Sequence, residues 1–345
     1  MGILFTNLHS NKKMNYLTKI NNCILNRIRS YKIVLASSYK LYKLILKFYG
    51  VPLHLPIDYK GQAASDLIKN TLEADKPGII CRFGENELRT VVAYLNEKFN
   101  IKPNIRGCLR RESFSLEDKR VKVWMHNCAG FYPNDKTSLS QFSELTLKDM
   151  NDVDVLGCWL PREVRIKDYL NVNLKTIPLS TLAPWEHNSP WTLALKNKKV
   201  LIIHPFEKTI KKQYKKRELL FENKDILPEF KLITLKAVQS AAGNKTSFKT
   251  WFNALDYMCE MINTIDFDVA IIGAGAYGFS LAAHIKRIGK KAVHLGGATQ
   301  LLFGIKGNRW DGSKLAVKYY NSNWTRPADD EKPQQPELIE NNTYW

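Results

Sequence analysis

The chain has 345 residues, 44% of them hydrophobic, and a formal net charge of +19 at pH 7. That length and apolar share suit a globular protein with a core of one large or two ordinary domains. The positive charge leaves three classes of partner open: nucleic acid, an anionic membrane surface, or anionic substrates such as phosphorylated sugars.

The six cysteines form no C-x-x-C pair and no Cys/His cluster with zinc spacing. Several lie inside apolar runs, which is typical of reduced cysteines in a core. Residues 1–9 do not resemble a signal peptide, and no run of about 18 uncharged apolar residues predicts a membrane span. We therefore expect a cytoplasmic protein, with peripheral contact at the inner membrane face as an extension of that expectation.

Residues 1–60 differ from the rest because they carry ten Lys and Arg residues against one acid, Asp58. A helical pattern runs from about 13 to 49 and stops at Gly50 and Pro52. One interpretation is a basic helical arm that packs on the main domain. A second is an amphipathic helix that rests on anionic lipid through residues 13–49. A nucleic-acid-binding arm is the third.

Residues 61–312 alternate between short β-branched strands and helical patterns. The strand candidates are 78–82, 153–157, 199–203, 231–236, 268–272 and 291–295, and the helical patterns are 61–75, 207–222, 248–265 and 277–289. This alternation predicts an α/β, Rossmann-like fold with a mostly parallel sheet and helices on both faces. Ligands of such sheets bind beyond the carboxyl ends of the strands. The polar residues 313–345 are expected to form an extended or partly disordered tail.

The first motif is segment 82–87, Arg-Phe-Gly-Glu-Asn-Glu, directly after an apolar strand. In an extended turn, Glu85 and Glu87 can reach one Mg²⁺ or Mn²⁺, since hard cations prefer oxygen ligands. Gly84 permits close backbone approach, and Arg82 is suited to a phosphate. The alternative is a helix N-terminus whose acids are favoured by the helix dipole.

The second motif is a strand followed by Gly273, Gly275 and Gly278 in G-x-G-x-x-G spacing and then a helical pattern. The glycines and the helix N-terminus predict an anion site, although a glycine turn needed only for packing stays open. A dinucleotide-binding half would also place an acid at the end of the next strand. That strand ends in His294 and Leu295 instead, which argues against NAD.

Two further clusters follow strands. Gly296, Gly297 and Thr299 form a glycine turn suited to a diphosphate or a sugar, and Arg309 and Asp311 follow it as site residues or as a salt-bridged loop. His204 ends another strand and is a candidate general base or phosphate donor, or a structural histidine.

The segment 79–88 resembles the strand-plus-acid motif of bacterial GT-D-type glycosyltransferases, in which Arg-aromatic-Gly-Asp-Gly-Glu is usual. Residues 268–311, with Gly-Ala-Gly-Ala-Tyr-Gly before His-Leu-Gly-Gly-Ala-Thr-Gln, resemble the C-terminal part of GT-D-like proteins encoded with surface-polysaccharide genes. The resemblance spans about 61–312. It implies a Rossmann-like catalytic domain that transfers a sugar from a nucleotide sugar, with the metal acids at Glu85 and Glu87. This chain has Glu at 85 and Asn at 86, where the family usually has Asp and Gly.

The leading hypothesis is thus a metal-dependent glycosyltransferase of polysaccharide or capsule biosynthesis. Its partners would be a nucleotide sugar and a glycan or lipid-linked acceptor, and not nucleic acid. The glycine amides after Gly273 and Gly296 would bind the donor, and His204 or Asp311 would assist the acceptor hydroxyl. The alternatives are an NAD(P)- or FAD-dependent oxidoreductase and a non-catalytic GT-D-like protein of polysaccharide assembly.

Overall fold

The computed structural model describes residues 39–52, 54–102, 104–110, 112–339 and 343–345. The predicted helical pattern at 13–49 therefore lies mostly outside the described residues, and only the helix Tyr39–Phe48 belongs to them.

Seven strands form one sheet in which every pair of neighbours is parallel. They are β1 (Gly78–Cys81), β2 (Val155–Cys158), β3 (Lys175–Pro178), β4 (Lys199–His204), β5 (Lys231–Lys236), β6 (Val269–Ile272) and β7 (Lys291–His294). Their order across the sheet is β3-β2-β1-β7-β6-β4-β5. The predicted α/β fold is confirmed, and β3 is the strand that the sequence pattern did not indicate.

Thirteen α-helices occur among the described residues. They are α1 (Tyr39–Phe48), α2 (Gly61–Glu73), α3 (Glu85–Lys98), α4 (Ile105–Leu109), α5 (Lys119–Asn127), α6 (Lys136–Met150), α7 (Glu207–Tyr214), α8 (Arg217–Leu220), α9 (Trp251–Asn263), α10 (Tyr277–Arg287), α11 (Thr299–Leu302), α12 (Asn308–Asp311) and α13 (Lys314–Val317). Four of the predicted helices are present, with the pattern at 207–222 split into α7 and α8. The helices between β1 and β2 were not predicted.

The sheet has a hydrophobic core on each face because side chains alternate along every strand. Ile79 and Cys81 of β1 point into the core under α3, α6, α9 and α10, whereas Ile80 points into the core under α2, α7 and α11. In β4, Leu201 and Ile203 join the first core, while Val200 and Ile202 join the second. Burial on both faces explains why these strands read as continuous apolar runs.

The central strands determine where a ligand can bind. β1, β7, β6 and β4 are adjacent, and all four run in the same direction. Their carboxyl ends lead into Arg82, Leu295, Gly273 and Pro205 respectively. Parallel strands end at one edge of the sheet, so the four predicted motif regions meet there.

The described part of the basic arm contacts the domain at several points, including Leu55 in the core under α3 and hydrogen bonds between Asp58 and Thr176. Leu46 of α1 is buried against Val51 and Leu109, whereas Leu44 and Phe48 are exposed. None of the helices in the described part of the chain is both long and apolar enough to cross a membrane.

The polar tail does not project away from the domain where it is described. Trp324, Ile339 and Trp345 are buried, and the Glu331 carboxylate accepts hydrogen bonds from the backbone N–H groups of Lys208 and Thr209. Those donors belong to the first turn of α7, where backbone N–H groups need an external acceptor. Over its described residues the tail contains α13 and two short 3₁₀ helices and packs on the domain rather than being extended or disordered.

The start of α10 lies so close to β7 that it requires a glycine. A β-carbon on Gly278 would lie 2.5 Å from Nε2 of His294. We expect Gly278→Ala to lower the free energy of unfolding by about 1–3 kcal/mol, the usual effect of overpacking a core. Chemical denaturation measures it, with Gly312→Ala as the control because a β-carbon there meets nothing within 4 Å. Equal stability of the two variants would contradict this packing.

Candidate functional site

A cavity of about 180 Å³ opens at the carboxyl ends of β1, β4, β6 and β7. Its lining comes from the β1–α3 turn, the residues after β2 and after α5, the end of β4, the loop after β5, the two glycine turns, and the tail. The lining residues that carry chemistry are Arg82, Glu85, Glu87, His204, Gln239, Ser240, Tyr277, His294, Gln300, Arg309, Tyr344 and Trp345.

The two glutamates are in the first turn of α3, not in an extended turn. Two residues correspond to roughly 200° around an α-helix, so their side chains leave the axis in nearly opposite directions. Both residues border the cavity. The helix N-terminus considered as the alternative from sequence is therefore what the structure shows, and the expectation of an extended turn is wrong.

Glu85 is engaged by two arginines. Its Oε1 atom lies 2.6 Å from Nη2 of Arg89 and 3.5 Å from Nη2 of Arg162, and its carbonyl accepts a hydrogen bond from Arg162 Nη1 at 2.9 Å. Arg89 and Arg162 are both buried, and Arg89 also lies over the ring of Trp124. Two buried guanidinium groups need a carboxylate partner, so Glu85 acts here as their counter-ion.

Glu87 folds back over Gly84. A β-carbon on Gly84 would lie 2.0 Å from Oε2 of Glu87, so a larger residue at this helix start would require the Glu87 side chain to move. The Glu87 carboxylate is also close enough to Arg82 to oppose the fall in its pKa. Among the described residues, no group of three or more His, Cys, Asp or Glu side chains is placed to hold a metal ion.

Two arginines bring positive charge to one wall of the cavity. Burial lowers the pKa of Arg82, and the nearby positive charge of Arg309 lowers it further. The Arg82 guanidinium lies 5.2 Å from the ring centre of Trp159, and its side chain passes over Gly296. Arginine nevertheless stays protonated in proteins. Both arginines line the cavity, and a bound anion would add to the compensation that Glu87 already gives Arg82.

His204 is a buried neutral imidazole at the end of β4. Burial lowers its pKa to about 3. Its Nδ1 atom accepts a hydrogen bond from the N–H of Phe206 at 3.0 Å. The proton of the neutral ring is therefore on Nε2, and His204, which lines the cavity, can donate a hydrogen bond but has no basic nitrogen to offer. Of the roles predicted from the sequence, this geometry favours a hydrogen-bond donor to a phosphate over a general base.

Four buried polar atoms around the cavity have no hydrogen-bond partner among the described residues: Nδ1 of His294, Oγ1 of Thr299, Oε1 of Gln300 and Nε1 of Trp345. Burial, and then the charge of Arg82, lower the pKa of His294 to about 3, so this ring is also neutral. Buried polar atoms almost always have partners in folded proteins. Their concentration at one place indicates that a polar ligand or water belongs here.

The first glycine turn is shaped by packing as well as by its open amides. A β-carbon on Gly273 would lie 2.7 Å from the carbonyl oxygen of Gly296, and one on Gly275 would lie 2.9 Å from that of Ala129. Gly275 has φ +53, which favours glycine. The N–H groups of Gly273 and Ala276 donate to Ile203 and Ala129. The backbone N–H groups of Ala274 and Gly275 donate to none of the described residues, so they can bind a ligand.

The second glycine turn connects the arginines to the tail. Gly296 has φ +65 and lies under Arg82, and a β-carbon on Gly297 would lie 2.6 Å from the ring of Tyr344. Arg309 lies 5.3 Å from the centre of that ring and donates to its hydroxyl at 3.3 Å. The tail aromatics therefore cover this turn and form part of the cavity wall.

Three predicted site residues do not line the cavity. Asp311 lies on α12, where it is half-exposed and forms an ion pair with Arg326, which is the salt-bridged loop considered from sequence. Gly278 serves the packing against His294, and Thr299 is buried beside Gly273.

Sequence reasoning missed several residues of the lining: Trp159, Gln239, Ser240, Tyr277, Ile339, Tyr344 and Trp345. Ser240 follows β5, donates to the carbonyl of Gly130 at 2.5 Å and lies 3.0 Å from the hydroxyl of Tyr277. A polar pair after a strand was a usable signal for Gln239 and Ser240. The tail carried no comparable signal, since its place depends on long-range packing.

Comparisons with known proteins give one match. No family model matches the chain, and no curated protein matches it. One solved structure, a selenomethionine-substituted "domain of unknown function 1792 (DUF1792)", matches 68% of this chain and 82% of its own at 11% identity, with a TM-score of 0.28. A likeness of that size carries no argument about fold or function, which rest on the geometry above.

The two neutral histidines make stability depend on pH. Their folded pKa of about 3 lies below the unfolded value of 6.5, so the stabilisation is complete above pH 6.5 and falls as the pH drops towards 3. Between pH 7.5 and 5 we expect a loss of roughly 1–2 kcal/mol for each histidine. Urea unfolding at both pH values measures it. His204→Gln should show a smaller loss than the unmodified protein, and an unchanged loss would contradict the assignment.

Proposed function

We propose that the protein is a glycosyltransferase that uses a nucleotide sugar as donor. The observation that carries the proposal is the pairing of Arg82 and Arg309 beside unpartnered polar atoms and open glycine amides in one cavity. A diphosphate matches this set, since guanidinium forks and backbone amides are the usual ligands of phosphate oxygens. The motif resemblance to GT-D-type enzymes supports the same reading.

The chemistry follows from where charge develops. When the bond between the sugar and the diphosphate breaks, negative charge grows on the leaving phosphate oxygen. Arg82 and Arg309 would stabilise that charge, and the Nε2–H of His204 would donate to an oxygen of the diphosphate or sugar. Fixed donors aimed at developing charge are among the strongest contributions to catalysis. They act best in a partly buried site such as this one, where water screens them less.

Glu87 is the acid best placed to act on the sugar or the acceptor. It borders the cavity at the amino end of α3, whereas Glu85 is held by Arg89 and Arg162. A carboxylate at this position would accept a hydrogen bond from a sugar or acceptor hydroxyl. Asp311 lies outside the cavity in an ion pair with Arg326, so we assign it no role in the reaction.

A metal centre built from both glutamates does not fit these residues. Mg²⁺ commonly takes one or two carboxylates together with substrate phosphates. Here Glu85 is occupied by two guanidinium groups, and the side chains of Glu85 and Glu87 leave α3 in nearly opposite directions. We therefore derive no step through a metal, and we place the neutralising charge on Arg82 and Arg309.

The acceptor is proposed to be a glycan or a lipid-linked glycan. The support is the basic character of residues 1–60 and, in the described part of that segment, the exposed apolar side chains of Leu44 and Phe48 beside Lys47. Basic helices with an apolar face bind anionic lipid surfaces. Contact of this kind would place the enzyme near an acceptor at a membrane.

Loss of Arg82 should weaken donor binding. We expect Arg82→Gln to lower the affinity for the best donor in a panel of UDP-, GDP- and CMP-sugars about 10- to 100-fold, because a hydrogen bond to a charged group contributes about 1.5–3 kcal/mol. Calorimetric titration measures it. Arg120→Gln is the control, since Arg120 lies on α5 in an ion pair with Asp118 away from the cavity. No binding of any donor by the unmodified protein would contradict the proposal.

Removal of metal ions by a chelator should weaken donor binding less than the loss of Arg82 does. We expect EDTA to change the affinity for the same donor by less than about threefold, because Arg82 and Arg309 supply the positive charge that binds the diphosphate. A tenfold change would correspond to about 1.4 kcal/mol of binding free energy. Titrations with 1:1 additions of Mn²⁺ and with EDTA provide the comparison. A loss under EDTA as large as that of Arg82→Gln would show that a metal carries the diphosphate instead.

A further inference from the structure

A second cavity adjoins the first. It has a volume of about 630 Å³ and lies between the segment 178–188, α2 and the second glycine turn. Trp185 and Trp310 both line it, so we refer to it as the tryptophan cavity. Three residues line both cavities: Arg82, Gly297 and Arg309. The two arginines therefore stand at the boundary between two spaces.

The size of the first cavity argues that it does not hold a whole nucleotide sugar. Pockets for small ligands and cofactors usually measure about 300–1,000 Å³. The first cavity, at about 180 Å³, falls below that range, whereas the tryptophan cavity lies within it. A donor whose diphosphate binds Arg82 and Arg309 would need to extend into the neighbouring space.

The two cavities differ in chemistry. The first holds Glu87, His204 and His294, which suit the hydroxyl groups of a sugar and the reacting atoms. The tryptophan cavity offers two indole rings, and the ring of Trp185 is held parallel to that of Phe221 at 6.4 Å. Aromatic rings stack on nucleobases, and each stacked base contributes about 1–3 kcal/mol.

Polar groups of the tryptophan cavity would complete a nucleoside site. Its lining includes Thr181, Glu186 and Asn188 beside the two indoles. Carboxylate and amide groups at the rim of an apolar pocket suit ribose hydroxyls and the edge of a base. Glu186 is already ordered by an ion pair with Lys318 at 3.4 Å.

We propose that the tryptophan cavity binds the nucleoside of the donor, so that the nucleotide sugar crosses Arg82 and Arg309 with its sugar beside Glu87. This inference rests on the proposed function and adds to it the place and orientation of the donor. The reaction keeps its balance: the bond from the sugar to the diphosphate breaks with its electron pair going to the diphosphate oxygen, the acceptor oxygen bonds to the sugar, the acceptor's hydroxyl proton passes to the Glu87 carboxylate, and the nucleoside diphosphate leaves from the tryptophan cavity.

The test blocks the tryptophan cavity without changing the arginines. Ser180 lines the cavity and is exposed, so Ser180→Trp fills the space from its rim. Ser322→Trp is the matched control, because Ser322 is exposed and lines neither cavity. Ala183→Leu is a second blocking variant in case the first fails to fold. The probes are UDP, GDP, ADP and inorganic pyrophosphate, titrated calorimetrically.

We expect Ser180→Trp and Ala183→Leu to weaken the best-bound nucleoside diphosphate at least tenfold and to change pyrophosphate binding less than twofold, since pyrophosphate needs only the arginines. Equal nucleotide affinity in the blocking variants and in Ser322→Trp would overturn the assignment of this cavity and leave the proposed function intact. Failure of the unmodified protein to bind any of the three nucleotides would overturn both.

Discussion

The close approach of three chain segments at Gly273 is the constraint on which the site depends. A β-carbon on Gly273 would lie 2.7 Å from the carbonyl oxygen of Gly296, 2.7 Å from the ring of His204 and 2.8 Å from the hydroxyl of Thr299. The pairing of β6 with both β4 and β7 brings the ends of these strands together, and glycine at 273 permits the close contact between them. Since β7 is also the neighbour of β1, the turn at Gly296 then lies under Arg82.

The charged side chains around that cavity have different roles. Glu85 neutralises the buried guanidinium groups of Arg89 and Arg162 on one side of α3. Arg82 and Arg309 both line the cavity, where a bound anion would add to the compensation that Glu87 already gives Arg82. The histidines that complete the wall are neutral because burial disfavours their charged form. The resulting site favours an anionic ligand with several hydrogen-bond acceptors. Glu87 is the carboxylate that would act on such a ligand.

The sequence predicted the parallel sheet because strands buried on both faces appear as short β-branched runs, and it predicted the meeting of motifs because parallel strands end together. It did not indicate β3, which has only four residues and ends in Pro178. It left Glu85 and Glu87 open between an extended turn and a helix start, because a Gly before two acids permits both. The positions of Tyr344 and Trp345 depend on packing across the whole chain, which no local pattern records.

The central claim is that the diphosphate of a nucleotide donor binds between Arg82 and Arg309 at the two glycine turns. The most direct measurement is a crystal structure of the protein with the nucleoside diphosphate that raises its melting temperature most, since binding to the folded state stabilises it. We expect phosphate oxygens within hydrogen-bond distance of both guanidinium groups and of the amides of Ala274 or Gly275. A nucleotide bound elsewhere, or a structure in which Glu87 and Gly273 open onto different faces, would contradict the claim.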